Sequence, residues 1–289
     1  MKDKLIKLTG KLLNFGSWLF PKYTREVAAG LLSRVPPVRL TDSARQFLET
    51  AQVHWLDTDG IRTALYQWGR GPTTVFFLHG WMSYSARWRS IIENLDPEQY
   101  SLYALDAPGH GLSQGQRLTL ELYRRAYVRA LDVSGPVDVQ IAHSFGNLIS
   151  AYQFLYRPET EAKSYVVMGS PSGMDAIFGY FVDILGLSPR MLRNVAKKVD
   201  ELLKIPHQEL TLKVFFEKNE RPKLVIHDEF DAITPIAPIR DAVSGQRHIE
   251  TFFTRGLDHT LGDESVNKRI LNFIASQKTK EKSYVPKEI

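Results

Sequence analysis

The chain has 289 residues, 43% of them hydrophobic, and a formal net charge of +5, the composition of an ordinary globular protein with enough length for one large core and not for several independent domains. The absence of cysteine excludes a disulfide framework, a thiolate metal site and cysteine catalysis. The charge is uneven: residues 1–39 hold eight Lys/Arg against two Asp/Glu, net +6, leaving 29 against 30 for the rest, so the body is nearly neutral and the basic balance does not argue for nucleic acid.

Taken in order, the chain opens with Leu5, Leu8, Leu12, Phe15 and Leu19 at helical spacing, with Lys4, Lys7 and Lys11 on an adjoining face and Pro21 ending the run after Phe20. This amphipathic helix fits two placements: packed on the body of the protein, or lying on an anionic membrane surface through the stretch from Leu5 to Phe20. Lys11 interrupts the apolar region and no small-X-small site precedes Pro21, which disfavours a secretory signal and makes a cytoplasmic location the expectation, with or without peripheral membrane contact. A second helix is expected over residues 24–32, and a third from an N-cap at Thr41 or Asp42 to about Ala51. Residues 1–51 thus form a helical extension.

Strands are expected at 52–56 and 61–68, joined by Asp57-Thr58-Asp59-Gly60. Next comes 73–78, a near-continuous apolar run of the kind buried on both faces. A helix over 85–95 and a strand at 101–105 lead into Asp106-Ala107-Pro108-Gly109-His110-Gly111-Leu112-Ser113. A helix over 119–131 precedes a strand that ends near Ala142, and another strand follows at 163–169. From Ser170 to about Lys218 the strand rhythm stops, and large apolar residues recur at helical spacing, Phe178 and Phe181 among them. Such a stretch is too long for a loop and reads as a helical lid over residues 171–218. Strands at 223–227 and 249–253 resume the alternation. A final helix over 264–276 precedes a charged tail expected to fray. The fold class is α/β, a mostly parallel sheet of about eight strands whose core covers 52–170 and 219–277.

The central feature is Ala142-His143-Ser144-Phe145-Gly146, where alternate apolar residues Val137, Val139 and Ile141 give way to a helical pattern. That is strand, sharp turn and helix with a serine at the apex. Ala142 and Gly146 are small where a large side chain would strike a neighbouring element. The turn also aims the Phe145 N–H toward a place where an oxyanion would be stabilised. Serine needs a base, and the base needs a carboxylate to hold its tautomer. Such groups belong at the C-terminal ends of strands. His259 alone follows the last strand in a loop, since His54 and His227 lie within strands and His248 precedes one. Asp231, three residues into the loop after the strand ending at His227, is the carboxylate, with Asp228 the runner-up.

With these motifs in this order, His79-Gly80 after the third strand, the Asp106 to Ser113 loop after the fourth, the Ser144 turn, and the Asp231 and His259 loops, the chain resembles the α/β-hydrolase fold superfamily in its lidded, single-domain form. The resemblance covers about residues 53–276. It implies a twisted sheet flanked by helices with a lid inserted after the sixth strand, Trp81 as the second oxyanion N–H beside Phe145, and no metal or organic cofactor. Ala142 replaces the first glycine of the turn and Asn147 stands where a small residue is frequent. His79 and His110 are expected to hold loops. His143, Met82, Phe178 and Phe181 are candidate pocket residues, with packing beneath the nucleophile the alternative for His143, and Trp81, Met82, Tyr84, Trp88 and Phe145 fit either pocket or packing. The function expected is a serine hydrolase that cleaves a small-molecule carboxylic ester or thioester of hydrophobic character, with hydrolysis falling as His259 protonates in mildly acidic solution. Acyl transfer or C–C bond hydrolysis by the same triad, and a non-catalytic receptor, are the alternatives. A dehalogenase or epoxide hydrolase would want a carboxylate in place of Ser144.

Overall fold

In the computed structural model, which describes residues 2–283, two helices lead the chain, α1 (Lys2–Leu19) and α2 (Pro21–Leu32). Pro21 separates them: it cannot donate inside a helix, yet its fixed φ suits a first turn. α3 (Asp42–Leu48) is capped by the Thr41 hydroxyl, which accepts from Ala44 N at 3.1 Å. β1 (Gln52–Thr58) and β2 (Ile61–Trp68) form an antiparallel hairpin whose tip, Asp59-Gly60, has positive φ at both residues, 54° and 78°. That is the primed turn whose twist matches paired strands.

From there strands and helices alternate. β3 (Thr73–Leu78), α4 (Arg89–Ile92), β4 (Tyr100–Leu105), α5 (Leu120–Ser134), β5 (Val139–His143), α6 (Phe145–Tyr156) and β6 (Ser164–Met168) come first. Then follow α7 (Met174–Leu185), α8 (Pro189–Leu202), α9 (Leu212–Lys218), β7 (Lys223–Asp228), α10 (Ala237–Val243), β8 (Ile249–Thr254) and α11 (Glu264–Ser283). Residues 277–283, expected to fray, continue α11, and the rest of the tail lies outside the described residues. The helix expected over 85–95 is a 3-10 turn, Ser85–Trp88, followed by the short α4. Its end tightens because Asn94 N and Leu95 N bond three residues back, to Ile91 O and Ile92 O.

The eight strands form one sheet in the order β1-β2-β4-β3-β5-β6-β7-β8, with β2 antiparallel to both neighbours and the other pairs parallel. The apolar run of β3 serves both faces. Phe76 and Leu78 join a cluster with α5, α6 and the helices after β6, whereas Val75 and Phe77 join one with α3, α4 and α11. Parallel strands covered on both sides require that continuous pattern.

Helices α7 to α9 occupy the segment between β6 and β7, and they do not behave as one unit. α9 lies on the sheet layer, with Phe215 edge-on to Phe154 of α6 and Tyr165 of β6. α7 and α8 instead pack with α1 and α2. A Cβ at Gly10 would come within 1.7 Å of the Leu185 carbonyl oxygen, and Leu13, Ser17 and Ala28 are buried. Asn14 brackets the α7–α8 turn, donating to Gly186 O at 2.8 Å and accepting from Ser188 N at 2.7 Å. Arg25 pairs with Glu201 at 2.7 Å and Lys198 with Glu26 at 2.9 Å. The leucine stripe of α1 is not the face that makes these contacts: Leu5, Leu8, Leu12, Phe15 and Leu19 are exposed. No helix among the described residues is long and apolar enough to cross a membrane.

Candidate active site

Ser144 sits between β5 and α6 with φ 52° and ψ −123°, a left-handed conformation that costs a non-glycine residue energy. The surroundings hold it there. Ser144 N donates to Met168 O at 2.9 Å, and Asn147 Nδ2 donates to the same oxygen at 2.9 Å, tying the turn to the end of β6. Space demands small residues around it. A Cβ at Gly146 would lie 2.6 Å from Leu78 O, and one at Gly80 would lie 2.7 Å from Ser144 Cβ. Asn147, the departure from the usual pattern, thus becomes a strut of the turn.

The Ser144 Oγ stands 2.9 Å from His259 Nε2, and His259 Nδ1 stands 2.8 Å from Asp231 Oδ2. The carboxylate fixes the tautomer: Nδ1 carries the proton and donates to Asp231, so Nε2 is the acceptor facing the serine hydroxyl. Asp231 is itself anchored, its Oδ1 accepting from Ile233 N and Thr234 N at 2.8 Å each, its Oδ2 from Thr234 Oγ1 at 2.7 Å. Burial pushes its pKa up, but the hydrogen bonds from His259 and Thr234 outweigh this and hold it at about 2. Asp228 takes no part in this relay. Its oxygens accept from Phe230 N, Thr254 Oγ1 and Leu257 N, binding the exits of β7 and β8 to each other.

The loop after β3 is set by the loop after β4. His79 Nε2 accepts from Ala107 N at 3.0 Å, and His110 Nε2 accepts from Met82 N at 3.1 Å. The buried Asp106 accepts from Ser85 N, Leu112 N and the Tyr66 hydroxyl at 2.7, 2.9 and 2.9 Å. A Cβ at Gly111 would fall 1.9 Å from Asp106 Oδ2 and φ there is +53°, so glycine is required. Each Nε2 faces a backbone N–H as acceptor, and burial lowers the pKa of both histidines. Trp81 stacks edge-on against Phe145 at 5.9 Å. Neither the Trp81 nor the Phe145 amide has an acceptor among the described residues.

The four candidate pocket residues have different neighbours. Met82, exposed and at φ 55°, lines a cavity of about 470 Å³ with Arg39, Tyr84, Arg87 and Arg89, and Ser144 is not among its lining residues. Phe178 is buried edge-on to His207 within the α7–α8 packing, and Phe181 lies partly buried beside Tyr180. His143 is buried, and both of its ring nitrogens are engaged. Its Nδ1 accepts from Arg87 Nη1 and its Nε2 donates to the His259 carbonyl oxygen at 2.8 Å. Arg87 also donates to Thr260 O at 3.2 Å. Arg87 carried no signal in the sequence, because the contact joins residues 56 apart. Burial and the Arg87 charge hold His143 well below the ordinary histidine pKa. No cluster of His, Cys, Asp or Glu suited to a metal ion occurs among the described residues.

Comparison with known proteins agrees with this architecture. The family model for the alpha/beta hydrolase fold matches residues 73–207. The dihydrolipoyllysine-residue acetyltransferase component of the acetoin cleaving system of Cupriavidus necator is 31% identical over 56% of this chain and 43% of its own length. The pimeloyl-[acyl-carrier protein] methyl ester esterase of Pectobacterium carotovorum is 30% identical over 47% of this chain and 53% of its own. The chain therefore spans about half the length of these curated relatives. Among solved structures, Est1E of Butyrivibrio proteoclasticus, determined with ferulic acid, superposes with a TM-score of 0.63 at 16% identity over 78% of this chain and 99% of that one. The chain has the fold of the α/β-hydrolase superfamily.

Proposed function

We propose that this protein is a serine hydrolase acting on a carboxylic ester or thioester. The observation that carries the reading is the Ser144–His259–Asp231 hydrogen-bond chain, 2.9 and 2.8 Å, on a serine held at positive φ. Ser144 Oγ attacks the acyl carbon as His259 Nε2 takes its proton. The carbonyl oxygen becomes an oxyanion held by the Trp81 and Phe145 N–H groups. Collapse breaks the bond to the alcohol or thiol, which leaves with the proton from His259. Water, deprotonated by His259, then attacks the acyl-enzyme; the second tetrahedral intermediate releases the acid and returns the proton to Ser144.

Helices α7 and α8 act as the lid, and their apolar residues favour a hydrophobic substrate. The similarity to an acetyltransferase component supports a second reading, in which an acceptor hydroxyl or thiol replaces water at the acyl-enzyme. Labelling by a fluorophosphonate, compared between wild type and Ser144→Ala, followed by p-nitrophenyl esters of increasing acyl length, tests the proposal. Wild type is expected to label and turn over some of the esters, with both lost in the variant. A folded wild type that neither labels nor turns over overturns it, and product analysis with added acceptor separates hydrolysis from transfer.

A further inference from the structure

The outward face of α1 and α2 is the feature that the chemistry at Ser144 leaves unexplained. On α1, Leu5, Leu12 and Phe15 are 64, 64 and 67% exposed, and Leu8 and Leu19 continue the same stripe. The helix is fastened by its opposite side, where Gly10, Leu13 and Ser17 are buried and Asn14 grips the α7–α8 turn. α2 carries an exposed row of its own, Tyr23, Val27 and Leu31 at four-residue spacing. A helix that buries its small and polar face while presenting leucines to water reverses the usual arrangement. The continuous apolar stripe of α1, exposed in this way, marks a contact made elsewhere.

Charge decides what makes the contact. Between Asp3 and Glu26 there is no acidic residue, and five Lys/Arg lie there. Lys4, Lys11 and Trp18 follow one another at seven-residue spacing along one border of the stripe. Neither lysine has an ion-pair partner among the described residues, and both are exposed. Trp18, 69% exposed, lies under the Arg190 guanidinium at 4.3 Å. Apolar side chains on the face, unpaired cations on its border and Trp18, Phe20 and Tyr23 at the α1–α2 elbow are the residue types that settle at a lipid–water boundary. Glu26 on α2 is paired with Lys198 at 2.9 Å, so the unpaired charge is that of Lys4 and Lys11, which suits an anionic leaflet.

We infer that the exposed face of α1 and α2 is a docking surface for an anionic lipid bilayer, onto which the leucine stripe lies in the membrane plane. This inference does not rest on the hydrolase reading, since binding requires no turnover. The full chain is sedimented with phosphatidylcholine vesicles with and without phosphatidylglycerol, beside Leu8→Asp/Leu12→Asp/Phe15→Asp and Lys4→Glu/Lys11→Glu. Wild type is expected to pellet with the anionic vesicles, and the triple variant to lose at least about tenfold of that binding with unchanged circular dichroism and melting temperature. The lysine variant is expected to lose the preference for phosphatidylglycerol. Brominated lipid should quench wild-type fluorescence more than that of Trp18→Phe, and Ser144→Ala should pellet like wild type. A wild type that stays in the supernatant with both vesicles, or a triple variant that pellets equally, overturns the inference. So does a wild-type dimer that the triple variant dissolves without any vesicle binding, which would assign the face to a second copy.

Discussion

At the scale of the residue, Asp231 shows how a buried carboxylate is kept charged. Its two oxygens accept from two backbone amides, a threonine hydroxyl and His259, and its pKa falls from 3.8 to about 2 against the pull of burial. The unfolded chain therefore binds the proton more readily. The stabilisation, about 2 kcal/mol from the size of the shift, is fully present above about pH 4 and is lost as pH falls through about 2. Urea titrations across that interval should show wild type losing this increment and Asp231→Asn, which has no such proton to gain, lacking that part of the slope. Arg87 works through other groups and is a positioning residue. By donating to His143 Nδ1 it leaves Nε2–H to hold the His259 carbonyl, and its second arm holds Thr260 O. Arg87→Met is expected to lower kcat for a p-nitrophenyl ester by about 10- to 100-fold with KM little changed, and Arg87→Lys to recover part of the loss. An unchanged kcat would remove it from the site. Ser144, His259 and Asp231 were legible as residues at strand ends, whereas His143 could be assigned only beside the nucleophile, because its direction is set by Arg87.

At the scale of the element, period reveals a helix and its stripe but not which side is fastened. The stripe of α1 was legible from Leu5 to Leu19; that the opposite side would pack was not, because its contacts depend on Gly10, Leu13, Asn14 and Ser17 meeting helices more than 160 residues on. Gly10 makes this testable through a reversal of sign. Alanine normally favours a helix interior over glycine by about 1 kcal/mol, and Gly179→Ala in α7, where a Cβ meets nothing within 4 Å, should raise the melting temperature accordingly. Gly10→Ala should lower it, by about 1–3 kcal/mol of stability, since the added Cβ would lie 1.7 Å from the Leu185 oxygen. Equal gains in both variants would mean that α1 does not sit against α7 in this way. The segment over 171–218 had one helical signal throughout, and only packing separates α9 on the sheet from α7 and α8 beside the leading helices.

At the scale of the whole molecule, the candidate site depends on loops from several parallel strands arriving together. Ser144 and His259 are 115 residues apart, and His259 hangs from β8, an edge strand that among the described residues pairs only with β7. The succession of strands along the chain and the turn at Ser144 were legible because each is local, a buried apolar run ending in small or polar residues, whereas the seating of β4 between β2 and β3 was not. The clamp that brings the last two strand exits together was not, since Asp228 and Asp231 are alike in composition and stand three positions apart. Asp228, weighed as a partner for His259, instead ties Thr254 and Leu257 to the end of β7. Two carboxylates at one strand exit thus differ in partner: Asp231 accepts from His259, and Asp228 holds the exit of the strand that leads to it. Asp231→Asn should leave the fold intact near neutral pH and lower kcat/KM by about 10³- to 10⁴-fold, because the amide no longer stabilises the imidazolium. Asp228→Ala should act differently. It strands the Leu257 N–H and frees the loop, lowering the melting temperature together with kcat/KM, while Asp228→Asn, which keeps an acceptor oxygen, recovers much of both. If Asp228→Ala lowered kcat/KM as far as Asp231→Asn at an unchanged melting temperature, Asp228 would belong beside His259 in the chemistry, and the division of work between the two carboxylates would fail.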